Sequence, residues 1–167
     1  MKKKNLLILG AGQYGRVARE TAAWMGCFGK IEFLDDQSPL AVGKLMDYDF
    51  LAKDYDSAFV AMGDPRLRRC WLEQLEQKGY DLPVLIHPRA YVSDSAVLGK
   101  GTIAEPMAVV NPEAVIGMGV LLCAGCVVNH NARVSAFCQI DCSAVIESNA
   151  VVPEGTKVPS GTVFHRK

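Results

Sequence analysis

The stretch VVNHNARV, residues 127–134, sets a single histidine between two asparagines in a run of valines and small residues. His130 is one of three histidines in the 167-residue chain. An imidazole there has the right chemistry to take a proton from an attacking amine or hydroxyl near neutral pH. Two other groupings are also of chemical interest. GAGQYG puts glycines at 10, 12 and 15, a spacing that lets backbone N–H groups approach a phosphate at a helix N-terminus. FLDD follows with Asp35 and Asp36, where an acid would meet a ribose hydroxyl. Cys123 and Cys126 form a CxxC, but no second pair with ligand spacing accompanies it and the histidines are scattered, so no metal is expected.

The elements that must position these residues follow two different grammars. NLLIL, residues 5–9, reads as a first strand feeding the glycine loop. QYGRVARETAAWMG has helical spacing, with Val17, Ala18, Thr21, Ala22 and Met25 on one face. KIEFLDD and SAFVAMG read as further strands, the latter closed by Gly63. DPRLRRCWLEQLEQKG reads as a helix with Asp64 as N-cap, Pro65 at its first position and Gly79 as its stop. PVLIHP supplies a last strand. Strands alternating with helices predict a small parallel α/β layer over residues 1–84.

From Ile86 the chain divides into thirteen unbroken hexads, IHPRAY, VSDSAV, LGKGTI and onward to VPSGTV at residue 163. The first place is Ile, Val or Leu in twelve of them, with Ala104 the exception, and the fifth is always Ala, Thr, Val or Cys. Helices repeat at 3.6 residues and ordinary strands at two, so a sustained period of six predicts a parallel β-helix over residues 85–167. The first-place aliphatics would stack inward, and the small fifth-place residues would fit the tight corners. Burying each aliphatic contributes roughly 1.5–3 kcal/mol. His130 falls on a third place, outside the core column. With about 18 residues per coil, Asn111, Asn129 and Glu147 would share a column beside it, with Ser93 at its foot.

Bulk properties remove several classes of function. Eighteen basic residues balance eighteen acidic ones, which argues against general binding to nucleic acid or to an anionic membrane. No apolar run is long enough to span a bilayer. MKKKNLLILGAG has a basic start but no small-residue cleavage site, so it is expected to be strand rather than signal peptide. Six cysteines without an export signal fit reduced thiols in the cytoplasm. A complete dinucleotide site needs a second mononucleotide half, and only 85 residues precede the hexads. A smaller ligand is therefore favoured for the glycine loop, with a plain tight βα turn as the alternative. For His130 the alternatives to a base are a solvent-facing or interface histidine.

ILGAGQYGRVARE, FLDD, VAMGD, LIHPRAYVSDSAVLGKGT, VVNPEAVIG and VVNHNARV occur in that order. In this the chain resembles the bacterial sugar acetyltransferases that join a Rossmann-like domain to a left-handed β-helix, of the sialic acid O-acetyltransferase and UDP-4-amino-sugar N-acetyltransferase type. The resemblance implies a homotrimer with active sites in clefts between neighbouring helices. It implies acetyl-CoA as donor and a UDP-sugar or related sugar as acceptor. It maps acceptor binding onto Gly12, Gln13, Tyr14, Asp35, Asp36 and Gly63, and general-base catalysis onto His130. The family usually places an acid directly after that histidine; here the residue is Asn131, and Glu147 is the candidate substitute. Gln139 stands where the family often has a second histidine near the thioester. Gln139, Ser148 and Lys157 are expected on the donor side, and Lys157, Arg166 and Lys167 could meet the CoA phosphates. His87 is expected to be structural. Relatives usually continue for another coil or two beyond the point where this chain stops, coils that help form the pantetheine groove. These departures keep a second class open, a trimeric scaffold that binds a nucleotide-sugar without a full CoA site. An oxidoreductase built on the glycine loop would need a catalytic domain that a hexapeptide helix does not supply.

Overall fold

A computed structural model describes residues 3–166, which divide into two compact units between Pro83 and Val84. In the first unit, β1 (Lys4–Leu9), β2 (Phe28–Leu34), β3 (Ala41–Gly43) and β4 (Ser57–Val60) form one parallel sheet in the order β3-β2-β1-β4. Helix α1 (Gln13–Met25) connects β1 to β2, a short helix α2 (Tyr48–Leu51) lies between β3 and β4, and α3 (Pro65–Lys78) follows β4. Leu6, Leu7, Ile8 and Leu9 are all fully buried, as is every residue of β4. Such continuous burial means both faces of the central strands are covered.

The face of α1 that turns inward differs from the expectation. Gly15, Ala18, Thr21 and Ala22 are buried, whereas Val17 is exposed and Met25 half-buried. The reason is close approach at the start of the helix. A Cβ on Gly15 would sit 2.0 Å from the Gly10 carbonyl oxygen, so the helix is pressed onto the glycine loop by its smallest residues. α3 starts as expected: Asp64 Oδ1 accepts the N–H groups of Arg66 and Leu67, Pro65 follows, and Gly79 ends the helix at φ 91°. β3 had no distinct sequence signal, being only three residues long at the sheet edge.

The strand read in PVLIHP lies in the second unit. Leu85–Ile86 pairs in parallel with Ile103–Ala104 and so forms the first rung of the β-helix. Two-residue strands then recur every six residues to Val163–Phe164, and each pairs with the strand 18 residues on, as in Val127↔Val145. Three flat parallel sheets result, one per face of a left-handed β-helix.

The first-place column is fully inward from Ala104 to Val158. The fifth-place residues Thr102, Ala108, Ala114, Val120, Cys126, Ala132, Cys138, Ala144 and Ala150 are buried just inside the corners, beside the first-place column. The corner itself falls at the fourth place, where φ runs from 58° at Asn131 to 69° at Gly125. Met107, Glu113, Phe137, Ser143 and Asn149 share this left-handed conformation with the glycines at 101, 119, 125, 155 and 161. A left-handed residue reverses the chain and aims the next side chain inward, where the narrow corner of the prism admits only small groups.

Ile140 is fully buried mid-column. Ile140→Ala is expected to lower unfolding stability by about 2–5 kcal/mol, measured by urea denaturation followed by circular dichroism.

Candidate active site

In the first unit the carboxyl ends of three strands finish level, with Leu9 opposite Leu34 on one side and Val60 on the other. β1 is followed by a crossover to one side and flanked by β4 on the other, so the loops after β1, β2 and β4 flank the switch point of the sheet, where a ligand crevice is expected. Gly10 N–H donates to the Leu34 carbonyl at 2.8 Å, and Ala61 N–H donates to the Leu9 carbonyl at 2.9 Å. Gly12 caps α1 without any side-chain hydrogen bond, and nothing lies within 4 Å of where its Cβ would be. The first turn of α1 therefore meets open space, where its N–H groups lack intrahelical partners.

The acidic pair divides its labour. Asp35 Oδ2 accepts the Ala11 N–H at 2.8 Å, while Oδ1 accepts those of Gln37 and Ser38, both at 2.9 Å. These bonds, that of Ala11 first, hold its carboxyl below the usual carboxylate range. Asp35 thus ties the β2 loop to the glycine loop. Asp36 is exposed and gives one oxygen to the Leu45 N–H at 3.1 Å, which makes it the acid with capacity for a ligand hydroxyl. Gln13 and Gly63 are exposed and Tyr14 half-buried. Sequence reading missed Arg68. It is fully buried in α3, and its Nη1 donates to the Met62 and Gly63 carbonyls at 2.6 and 3.0 Å. A lone arginine on a helix face that otherwise reads as core was the available signal. A cavity of about 500 Å³ lined by Arg16, Arg19, Phe33 and Leu40 adjoins the acidic turn. Another, of about 370 Å³, lies at the amino ends of the strands around Asn5 and Lys30, away from the crevice.

In the second unit His130 is exposed on a corner. Its Nδ1 lies 3.1 Å from the side-chain amide nitrogen, Nδ2, of Asn131. The neighbouring column forms the expected ladder: Asn111 Nδ2 donates to Asn129 Oδ1 at 3.3 Å, and Asn129 Nδ2 donates to the Ile146 carbonyl at 3.0 Å. Glu147, the candidate partner of His130, has both its oxygens engaged by other residues. Its Oε1 lies 2.9 Å from His165 Nδ1, and its Oε2 accepts the Arg166 N–H at 2.8 Å. The Arg166 N–H first, then His165, hold this carboxyl below its usual range. The pairing was legible, because residues 147 and 165 are one 18-residue coil apart.

Ser148 is half-buried one coil above His130 in the same column. Gln139 and Lys157 belong to a different face, in register with each other. Both engage Asp141: Gln139 Nε2 donates to Oδ1 at 2.6 Å, and Lys157 Nζ lies 3.3 Å from Oδ2. Within one chain they are therefore not gathered around His130. Lys167 lies outside the described residues. His87 is buried and its Nδ1 accepts the Arg89 N–H at 3.1 Å. Cys123 and Cys126 are buried, and burial, aided by the Glu105 charge, raises both thiols, that of Cys126 to about 12. Thiols so protonated are poor nucleophiles and poor ligands. Among the described residues no three His, Cys, Asp or Glu side chains converge as a metal-binding group.

Comparisons with known proteins agree with this architecture. The PglD N-terminal domain family matches residues 5–75. The acetyltransferase domain of PglB from Neisseria gonorrhoeae FA1090 is 33% identical, with 96% of this chain and 82% of that chain covered and a TM-score of 0.93. The same domain has been solved in complex with acetyl coenzyme A. A mutant perosamine N-acetyltransferase from Caulobacter crescentus, in complex with CoA and GDP-perosamine, shares the fold at 22% identity and a TM-score of 0.75, covering 95% of this chain and 90% of that chain. No curated protein sequence matches the chain significantly. With its α/β unit, its β-helix and this relative, the chain belongs to the bacterial sugar acetyltransferases and is an acyltransferase.

Glu147 is more acidic in the fold than in an unfolded chain, so its contribution is complete above the ordinary carboxylate range and is lost as pH falls through its depressed value. Hydrogen exchange at the Arg166 amide is therefore expected to accelerate, relative to its intrinsic rate, as pH is lowered through that value. Glu147→Gln should show faster exchange already at neutral pH, read by NMR.

Proposed function

We propose that the protein transfers the acetyl group of acetyl-CoA to an amino or hydroxyl group of a nucleotide-linked sugar, in the making of bacterial surface glycan. The observation that carries this reading is the exposed His130 imidazole on its corner of the β-helix. The ring takes the proton of the acceptor amine or hydroxyl as that atom attacks the thioester carbonyl. The tetrahedral oxyanion then collapses, the carbon–sulfur bond breaks, and the imidazolium returns the proton to the CoA thiolate. The open glycine loop supports a diphosphate at the start of α1, with Asp36 toward the nucleoside and Asp35 and Arg68 bracing the loops. The acetyl-CoA complex of the Neisseria domain and the CoA and GDP-perosamine complex of the Caulobacter enzyme support the choice of substrates. Ser148, above the base, is the residue of this chain best situated for the donor; Gln139 and Lys157 would serve a donor bound along their own face.

A homotrimer accompanies this reading. Outward-facing Tyr91, Val109, Val127, Val145 and Val163 stack in register on one face, with Tyr91 55% and Val163 46% exposed. This apolar stripe runs beside the His130 corner and suits the flank of a second copy. No helix among the described residues is long and apolar enough to cross a membrane. The six free cysteines support a reducing cytoplasm.

His130→Ala is expected to reduce CoA release with acetyl-CoA and UDP- or GDP-amino-sugars by roughly 100-fold or more, and unchanged turnover would remove the residue from the mechanism. Calorimetry that detects nucleotide-sugar but not acetyl-CoA would favour a binding scaffold instead. Light scattering at micromolar concentration is expected to give three times the chain mass; a monomer would count against a shared site.

A further inference from the structure

The charge along the corner that carries His130 changes sign at the histidine. By the 18-residue register, Asp94 and Pro112 stand below His130 in its column, and Ser148 and Arg166 stand above it. Asp94 is exposed, and the exposed Glu113 beside Pro112 adds a second carboxylate on the lower side. Each coil raises the column by about 4.8 Å, so the Arg166 backbone lies roughly 10 Å beyond that of His130.

Glu147, the acid on the upper side, is already occupied. Its Oε2 accepts the Arg166 N–H at 2.8 Å, and its Oε1 lies 2.9 Å from His165 Nδ1. A carboxylate thus ties residues 165 and 166 to the coil beneath them. The tie is to the Arg166 backbone; the residue is exposed, and no described carboxylate pairs with its guanidinium. Lys157 differs, because its Nζ lies 3.3 Å from Asp141 Oδ2 on another face.

A thioester donor whose acetyl group meets His130 has two ways to lie along this corner. Coenzyme A carries its charge at one end, in a pyrophosphate and a 3′-phosphate, joined to the sulfur by the long uncharged pantetheine arm. Directed downward, it would bring the phosphates toward Asp94 and Glu113, where like charges repel. Directed upward, the arm passes Ser148. Extended, it is longer than two coil steps, so the pyrophosphate comes within the reach of the Arg166 side chain. A guanidinium presents paired N–H donors that match phosphate oxygens.

We propose that Arg166 binds the phosphates of the donor, and that Glu147 is a positioning residue that holds the Arg166 backbone at the end of the His130–Ser148 column. The inference rests on the acetyl-CoA reading of this corner.

The test is calorimetry of CoA binding to the full chain, joined to steady-state kinetics. Arg166→Ala is expected to weaken CoA binding about tenfold and to raise KM for acetyl-CoA by a similar factor, with kcat little changed. S-acetylpantetheine, which has the thioester but no phosphate, should give the same KM with both proteins. Glu147→Gln should weaken CoA binding by a smaller factor, and should add nothing in the Arg166→Ala background, since it acts through Arg166. An additive loss in the double variant overturns the role of Glu147. Equal CoA affinity in wild type and Arg166→Ala, or an equal rise in KM for S-acetylpantetheine, overturns that of Arg166. So does a loss of CoA affinity in Lys157→Ala with none in Arg166→Ala, which moves the donor to the other face. These outcomes leave the acetyl-CoA reading intact, whereas a wild-type chain that binds no CoA sinks that reading and the proposal with it.

Discussion

The second unit depends on a backbone condition that recurs every six residues. From Gly101 to Gly161 one residue per hexad adopts φ near 60°, and the chain turns there through a corner of the prism. Between corners, two-residue strands donate their N–H groups to carbonyls one coil away, such as Val127 to Ala144 and Arg133 to Ala150. No strand this short would hold by itself; the ladder of identical partners above and below it makes the sheet. The inward columns follow from the same condition, since each corner returns the next side chain to the interior. His130 and Asn131 take their positions from it as well. The left-handed corner is Asn131 itself, and His130 projects from the residue immediately before it.

The first unit is organised by a different device, a set of cross-straps at one end of a sheet. β1, β2 and β4 stop at the same level, and their following loops are bound to each other rather than left to fluctuate separately. Asp35 joins the second loop to the first, and Arg68 holds the third from behind through two carbonyls. Straps of this kind give an otherwise exposed glycine loop a fixed shape, so that less ordering would be required of it on binding the proposed nucleotide-sugar. The acid without this duty, Asp36, retains binding capacity.

The sequence was most informative where physical demands repeat. The first-place aliphatics form an unbroken register because each must fill the same inward position, and their burial follows the hexads from Ala104 to Val158. The corner position was harder to recognise, because residues as different as Met107, Glu113 and Phe137 occupy it alongside glycine. Chain reversal there is enforced by the ladder and not by side-chain type. The roles of Asp35 and Asp36 were not separable from an adjacent pair, since which carboxylate turns back toward Ala11 is decided by the loop path. Glu147 bonds His165 and Arg166, one coil further on, a pairing that the 18-residue interval makes visible only once the coil length is fixed.

An interval of 18 residues also constrains how such a chain can change in length. A whole coil inserted or removed leaves every remaining side chain on its own edge of the prism, merely raised or lowered by one step. A gain or loss of one or two residues would instead rotate everything that follows, carrying aliphatic groups into water and polar ones inside. Length variation in this half should therefore come in full turns, or as loops that bulge outward at a corner and rejoin the winding in phase.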